Sequence, residues 1–343
     1  MSFAVALGLV ADEFLPEPPN RFHPVAWFGT AMLGYEKGFY RDSRAAGVSH
    51  ALTGTALGLA AGFALRRAIG RPAATFVAVT VATGGQMLRE VAERIGEATD
   101  LDGARRLLPS LVGRDPSQLD ASEIARAAIE SVAENTVDAA IASAFWGVVG
   151  GAPAVLAHRA INTMDAMVGH HNSRYENYGW ASARLDDLAA WLPARLTALL
   201  VAVVTPGRRK KITHAVRNDA PEHPSPNSGV SEAAFAAALD LKLGGTNRYG
   251  DTIEHRVILH PTGQLPTLAD IAKTNQLSRR ITALAAALSA VVSLFRHQTK
   301  AGDEICLTRI TIRDTKLPRE SVTSRWANGS ASSFKRTNFF RGR

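Results

Sequence analysis

Five apolar segments with basic residues at their edges constrain this chain more than any other feature. Val48 to Leu65 is 18 residues without a charged side chain, and Arg66, Arg67 and Arg71 follow it closely. A run of that length is what a helix needs to cross a bilayer, and a flanking basic cluster marks a cytoplasmic end. Ala73 to Gly85 is shorter and reads equally as a returning pass or a buried core helix. Val137 to Leu156 begins with Asp138. Leu188 to Val204 carries only Arg195 and is closed by Arg208, Arg209, Lys210 and Lys211, while Ile281 to Phe295 lies between Arg279-Arg280 and Arg296. Small-residue runs such as Gly54 to Gly62 suit close helix packing in lipid, as well as in a soluble core. No strand pattern, repeat or low-complexity tract competes, so the expected fold class is all-α: a multi-pass integral membrane protein with polar helical loops, embedded in the lipid bilayer of the cell membrane.

Against this background the decapeptide Ile129–Asp138, I-E-S-V-A-E-N-T-V-D, stands out. Glu130, Glu134 and Asp138 recur at i, i+4 and i+8, within an arc of roughly 80° on a helix, and Arg126 continues the row one turn earlier. Like charges at this spacing disfavour a helix, and a desolvated carboxylate is costly unless a cation or hydrogen bonds answer it. The row is therefore either a solvated face salted by Arg126 or half of a site whose other half lies elsewhere in the chain. Asp120 followed by Glu123 predicts a capping box at the start of this helix. In L-V-G-R-D-P, Asp115 and Pro116 predict a capped turn that holds Arg114 near the helix mouth. The polar stretch from Arg89 to Gly113 reads as a surface helix.

The net charge of +8 at pH 7 is mostly a property of the tail, where residues 297–343 hold ten Lys/Arg against four Asp/Glu. Without zinc-finger spacing or aromatic-basic interleaving, that balance does not make a nucleic-acid-binding protein. We therefore divide the chain into an embedded domain, residues 1–296, and a basic tail, residues 297–343, expected to be poorly ordered. The single cysteine, Cys306, excludes an internal disulfide and a cysteine-based metal site. Residues Met1 to Leu15 lack a basic start and a small-residue cleavage site, so no secretory signal is expected. His23 lies in a proline-rich loop that follows.

Downstream, A-I-N-T-M-D-A-M-V-G sets Asn162 and Asp165 on one helical face. The sequence A-R-L-D-D-L brings Arg184, Asp186 and Asp187, and two adjacent aspartates point about 100° apart on a helix, so one at most is expected to join a site. Acidic and amide oxygens on several apolar helices, without thiolates, suit magnesium, a hard cation usually carried with phosphate. Arg184 and Arg195 are suited to answer the phosphates; the alternative is a buried ion-pair network between helices. The proline-bracketed loop Glu222 to Asn227 leads into a helix expected from about Ser231 to Leu243, ended by Gly244 and Gly245. Amides at its N-terminus, with Ser225, Asn227 and Ser228, can seat an anion, although ordinary capping has the same pattern. Neither a P-loop nor a dinucleotide fingerprint is present, so ATP would have to bind by other means.

From Ala6 to Phe295 the chain resembles the adenosylcobinamide-phosphate synthase family of cobalamin biosynthesis, CobD/CbiB. The resemblance rests on eight strings in order: H-P-V, L-V-G-R-D, A-A-I-E-S-V-A-E-N-T-V-D, A-I-N-T-M-D-A-M-V-G-H, R-Y-E-N-Y-G-W-A-S-A-R-L-D-D, P-A-R-L-T, H-P-S-P-N-S-G and L-G-G-T-N-R-Y-G. After Asp138 the family commonly has a Gly and a Pro before the aromatic pair, where this chain has Ala139, Ala140 and Ala144 beside Phe145-Trp146, and its tail after His297 matches nothing in the family. The resemblance implies a multi-pass enzyme of the cell (inner) membrane that uses ATP and magnesium, with its active site on the cytoplasmic side. It would join a carboxylate of adenosylcobyric acid, a corrinoid, to (R)-1-amino-2-propanol or its O-phosphate. On that basis Glu130, Glu134, Asp138, Asp165 and Asp186 are expected to hold magnesium, and Arg114, Arg184 and Arg195 to clamp phosphates. His23, Asn135, Asn162, His223, Ser225, Asn227 and Tyr249 are expected to bind substrates, the Ser225 loop taking the aminopropanol phosphate. A homo-oligomer is compatible with these features. Intramembrane carboxylates also mark ion paths in transporters, and Asn/Asp clusters with magnesium serve membrane prenyltransferases, so those two readings stand as alternatives.

Overall fold

The computed structural model describes residues 2–314 apart from His171, Gly250 and Asp251, with the side chains of residues 20, 248–253 and 296–314 outside the description. Residues 1–296 form one compact unit and residues 297–343 another. Of the second unit only the backbone of residues 297–314 is described, as helix. The expectation of a poorly ordered tail therefore falls mainly on residues outside the description.

The first unit is built from helices α1 (Ser2–Phe14), α2 (Pro24–Phe39), α3 (Arg44–Ile69), α4 (Arg71–Ala82), α5 (Gly85–Gly96) and α6 (Leu101–Leu107). They are followed by α7 (Ala121–Thr136), α8 (Ala142–Gly150), α9 (Ala152–Val168), α10 (Trp180–Val204), α11 (Arg209–Asn218) and α12 (Ser228–Leu239). An antiparallel hairpin, β1 (Leu243–Tyr249) and β2 (Thr252–Leu259), precedes α13 (Leu268–Asp314). The all-α class stands with this one addition. Strand alternation is weak in L-G-G-T-N-R-Y, and the Gly244-Gly245 pair, expected to end a helix, instead forms a bulge opposite β2 with both glycines at positive φ. Helix α12 ends four residues earlier than those glycines would place it, with Asp240 in the left-handed conformation at φ 61°.

Among the described residues, three helices are long and apolar enough to cross a membrane: α3, α10 and the segment Leu268–Phe295 of α13. Their outward side chains are apolar, with Leu52, Phe63, Leu188, Leu199, Leu294 and Phe295 all more than half exposed, as helices facing lipid require. Two of the five apolar segments are not spans of that kind. Val137–Leu156 is interrupted by Gly151 at φ 68° and by Pro153 in the first turn of α9, so it becomes two packed helices. The segment Ala73–Gly85 supplies the short helix α4, which packs on α1.

Helices α3 and α9 lie close together because Gly58 and Gly62 leave room for the opposing backbone. A Cβ on Gly58 would stand 2.6 Å from the carbonyl oxygen of Leu156, and one on Gly62 would collide with Pro153. The polar stretch Arg89 to Gly113 is two helices with a turn between, and Arg89 is buried and ion-paired with Glu13. Its ion pair explains how a charge expected at the surface is held inside.

Helix α7 begins with the predicted capping box, Asp120 accepting from the Glu123 amide at 2.8 Å and Glu123 accepting from the Asp120 amide at 2.9 Å. Behind it, Ile124, Ile129 and Val132 are fully buried against a core that includes Phe235 of α12. Each such side chain contributes about 1.5–3 kcal/mol, enough to hold a helix whose other face carries charge. At Val137–Ile141 the helix makes a π turn, the Ala142 amide donating to the Val137 carbonyl, before α8 continues.

Candidate active site

The two halves of the Arg126–Asp138 row have separate surroundings. Arg126 donates to the carbonyls of Gly244 and, at 2.8 Å, Thr246, while Glu130 pairs with Arg114 and accepts from the Gly244 amide at 2.7 Å. Arg114 and Glu130 are both buried. This half grips the β1–β2 hairpin, so the expectation that Glu130 holds metal and Arg114 clamps phosphate is not met by their positions. The carboxylate of Glu130 is already satisfied by a guanidinium and a backbone N–H.

One turn on, Glu134 accepts from the Ser228 hydroxyl at 2.6 Å, and Asp138 accepts from Asn162 at 3.1 Å. The same Asn162 amide reaches Asp186 at 3.5 Å. Glu134, Asp138, Asp165, Asp186 and Asp187 line a single cavity of about 210 Å³ together with Ser225, Asn227 and Ser228. Both adjacent aspartates of α10 face this cavity. Lining by both departs from the expectation that at most one would join. Burial, and then the neighbouring charge of Glu134, push the Asp138 carboxyl up to about 7, although Arg159 and the Asn162 hydrogen bond act in the other direction.

The α12 start is held by its own loop. The Ser225 hydroxyl accepts from the amides of Asn227 at 3.3 Å and Ser228 at 3.1 Å, and the Gly229, Val230 and Ser231 amides bond to carbonyls of the same loop. These groups therefore cap the helix and do not form an open anion seat, which corrects that expectation. His223 fixes the turn, Nδ1 accepting from the Ser225 amide at 3.1 Å. Asn227 donates to the Asp187 carbonyl at 2.8 Å and accepts from Arg195 at 2.9 Å. Arg195 also stacks on Trp191, 4.4 Å from the ring centre, so its role here is to fix the loop against α10. Arg184 is largely exposed and stands 3.7 Å from Asp187, one of the residues lining this cavity.

Two expected binding residues lie elsewhere, and a third is not described. His23 caps α2 by accepting from the Val25 amide at 3.2 Å. Asn135 donates to the Ser131 carbonyl at 2.9 Å and lines a second polar cavity together with Asn162. The side chain of Tyr249 falls outside the described residues. Sequence reasoning missed Arg159 and Glu232. Ser228, expected as part of an anion seat, instead serves Glu134, and Arg159 is an isolated charge three residues before Asn162. Glu232 is one helical turn beyond Ser228 and fully buried, where burial, then Glu130 and Glu134, raise its pKa.

The donor set of the first cavity is carboxylate, hydroxyl and amide oxygen. Among the described residues no three of these acids converge into a ready cation cage. Magnesium does not require one, since it keeps several waters and takes one or two carboxylates plus substrate phosphates. The residues present therefore fit that ion.

Length, apolar helices and this cavity define a multi-pass helical membrane protein with an acid-lined polar site formed where α7, α9, α10 and α12 meet. The sequence model of the CobD/Cbib protein family matches residues 5–278. The chain is 46% identical over 307 residues to the cobalamin biosynthesis protein CobD of Mycobacterium tuberculosis, an alignment covering 86% of this chain and 96% of that protein. It is 40% identical over 269 residues to the protein of the same name from Rhodobacter capsulatus, covering 75% and 85% of the two chains. With that of Halalkalibacterium halodurans it shares 38% over 294 residues, covering 81% and 92%. No solved structure matches the chain. The chain belongs to the CobD/CbiB family.

Proposed function

We propose that this protein is an enzyme of cobalamin biosynthesis that forms an amide bond at the expense of ATP. It joins adenosylcobyric acid to (R)-1-amino-2-propanol or its O-phosphate, giving adenosylcobinamide or its phosphate. The observation that carries the reading is the gathering of five carboxylates from α7, its π turn, α9 and α10 around one cavity, in a chain of this family. A free carboxylate is a poor electrophile, so amide formation needs it activated, and phosphoryl transfer from ATP supplies that activation. Glu134, Asp138, Asp165, Asp186 and Asp187 would hold magnesium, which when bound neutralises phosphate charge. Asn162 keeps Asp138 and Asp186 facing the cavity, and Ser228 does the same for Glu134. Arg184 pairs with phosphate oxygens at the mouth, while Arg195 and Asn227 fix the loop against α10. The use of ATP assigns the cavity to the cytoplasmic side of the cell membrane.

The purified protein in lipid nanodiscs, given ATP, magnesium, adenosylcobyric acid and aminopropanol phosphate, should release the amide, ADP and inorganic phosphate, the amide and ADP read by mass spectrometry. A folded preparation that forms no amide with either amine overturns the reading.

A further inference from the structure

A second polar cavity, about 230 Å³, lies on the other side of Asp138 from the acid-lined one. Its walls come from the N-terminus of α5, the π turn and α9, joined where the Gly84 amide donates to the Ala139 carbonyl at 3.2 Å. Among its lining residues are Arg159, Glu17, Asn135 and Asn162. Arg159 donates through Nη1 to Asn162 at 3.2 Å, but its Nε is buried with no hydrogen-bond partner. Glu17 is half-buried, and its Oε1 would stand 2.8 Å from a Cβ on Gly84, so the glycine gives that carboxylate its room. The two charges are close enough to influence each other, yet among the described residues no ion pair joins Arg159 to Glu17 or to Asp138. A cation and an anion that share a cavity without touching leave space for a ligand carrying the complementary pair. A guanidinium with a buried, unused N–H is costly to keep unless an oxyanion answers it.

We propose that this cavity receives a short zwitterion, Arg159 taking its oxyanion and Glu17 its ammonium group. For its identification as the amino alcohol phosphate the inference rests on the amide-forming reading above. That reading needs a phosphate seat, and the amides at the start of α12 are already engaged by the Ser225 loop. The shared wall at Asp138 sets the ligand one side chain away from the cavity where the carboxylate is activated. Asn135 and Asn162 then act as positioning residues for the phosphate.

Binding is measured by calorimetry on the full chain in nanodiscs, without ATP, magnesium or corrinoid, using three probes: 1-amino-2-propanol O-phosphate, 1-amino-2-propanol and isopropyl phosphate. Wild type binds the zwitterion best. Arg159→Gln weakens both phosphates on the order of 10-fold and leaves the plain amine unchanged. Glu17→Gln weakens both amines and leaves isopropyl phosphate unchanged. A variant that had merely unfolded would lose all three probes, so selective loss is the diagnostic result. The inference is overturned if wild type fails to bind the zwitterion, or if both variants bind it as wild type does. Selective binding in a protein that makes no amide would leave the zwitterion site standing and remove the amide-forming reading. Normal binding by both variants in a protein that does make amide would remove the site alone.

Discussion

Arg126 and Glu130 on one side, Glu134 and Asp138 on the other, belong to one row of one helix and do opposite work. The first pair is closed: a guanidinium, a backbone N–H and two carbonyls answer its charges and fasten the hairpin to α7. The second pair is open, each carboxylate receiving one short polar side chain and facing a cavity with three more acids. A spacing of four residues decides which residues share a face. It does not decide whether the face is filled by the protein itself or left for a ligand.

The largest effect that would break this contrast concerns the open half. Asp138→Asn and Glu134→Gln should each lower amide formation by about 100-fold while the protein unfolds at an unchanged or slightly higher temperature. Full activity in either folded variant would remove the proposed metal role. Glu130→Gln should do the reverse. By leaving Arg114 buried without its carboxylate it should cost about 3–5 kcal/mol, read in thermal or denaturant unfolding, with a smaller loss of turnover per folded molecule. Magnesium sharpens the same division. At about 100 times its dissociation constant it should stabilise wild type and Glu130→Gln by about 2.7 kcal/mol, and Asp138→Asn by much less. The smallest effect is expected for Ser228→Ala, which removes the hydroxyl bonded to Glu134. It should cost about 1 kcal/mol in stability, and an unchanged unfolding midpoint would argue that this hydrogen bond contributes nothing net.

Much of the fold was legible because length without charge is informative. The charge-free core of α3 and the apolar second half of α10 were visible as segments, and the capping box at Asp120 marked the start of α7 to the residue. Apolar composition, however, does not separate lipid contact from protein contact. The run from Val137 is mostly buried inside the molecule and breaks at Gly151, where positive φ admits glycine readily. Of the site, the carboxylates on α7, α9 and α10 were legible as isolated charges among alanines. What answers each one was not, because the partners of Glu130 come from Arg114 sixteen residues before it and Gly244 more than a hundred after it. Arg159 escaped notice for a similar reason. One basic residue in an apolar helix says nothing about which cavity it faces until the neighbouring helices are in place.

The π turn at Val137–Ile141 amounts to a single-residue insertion in an otherwise continuous helix. Such an insertion changes the phase of everything after it by about 100°, so the pattern that unites Arg126, Glu130, Glu134 and Asp138 stops predicting direction in α8. Removing one alanine there would restore uniform winding. It would also turn α8 relative to α7 while Asp138, which precedes the alanines, keeps its register with Glu134, reshaping the second cavity at Ala139 without altering any carboxylate.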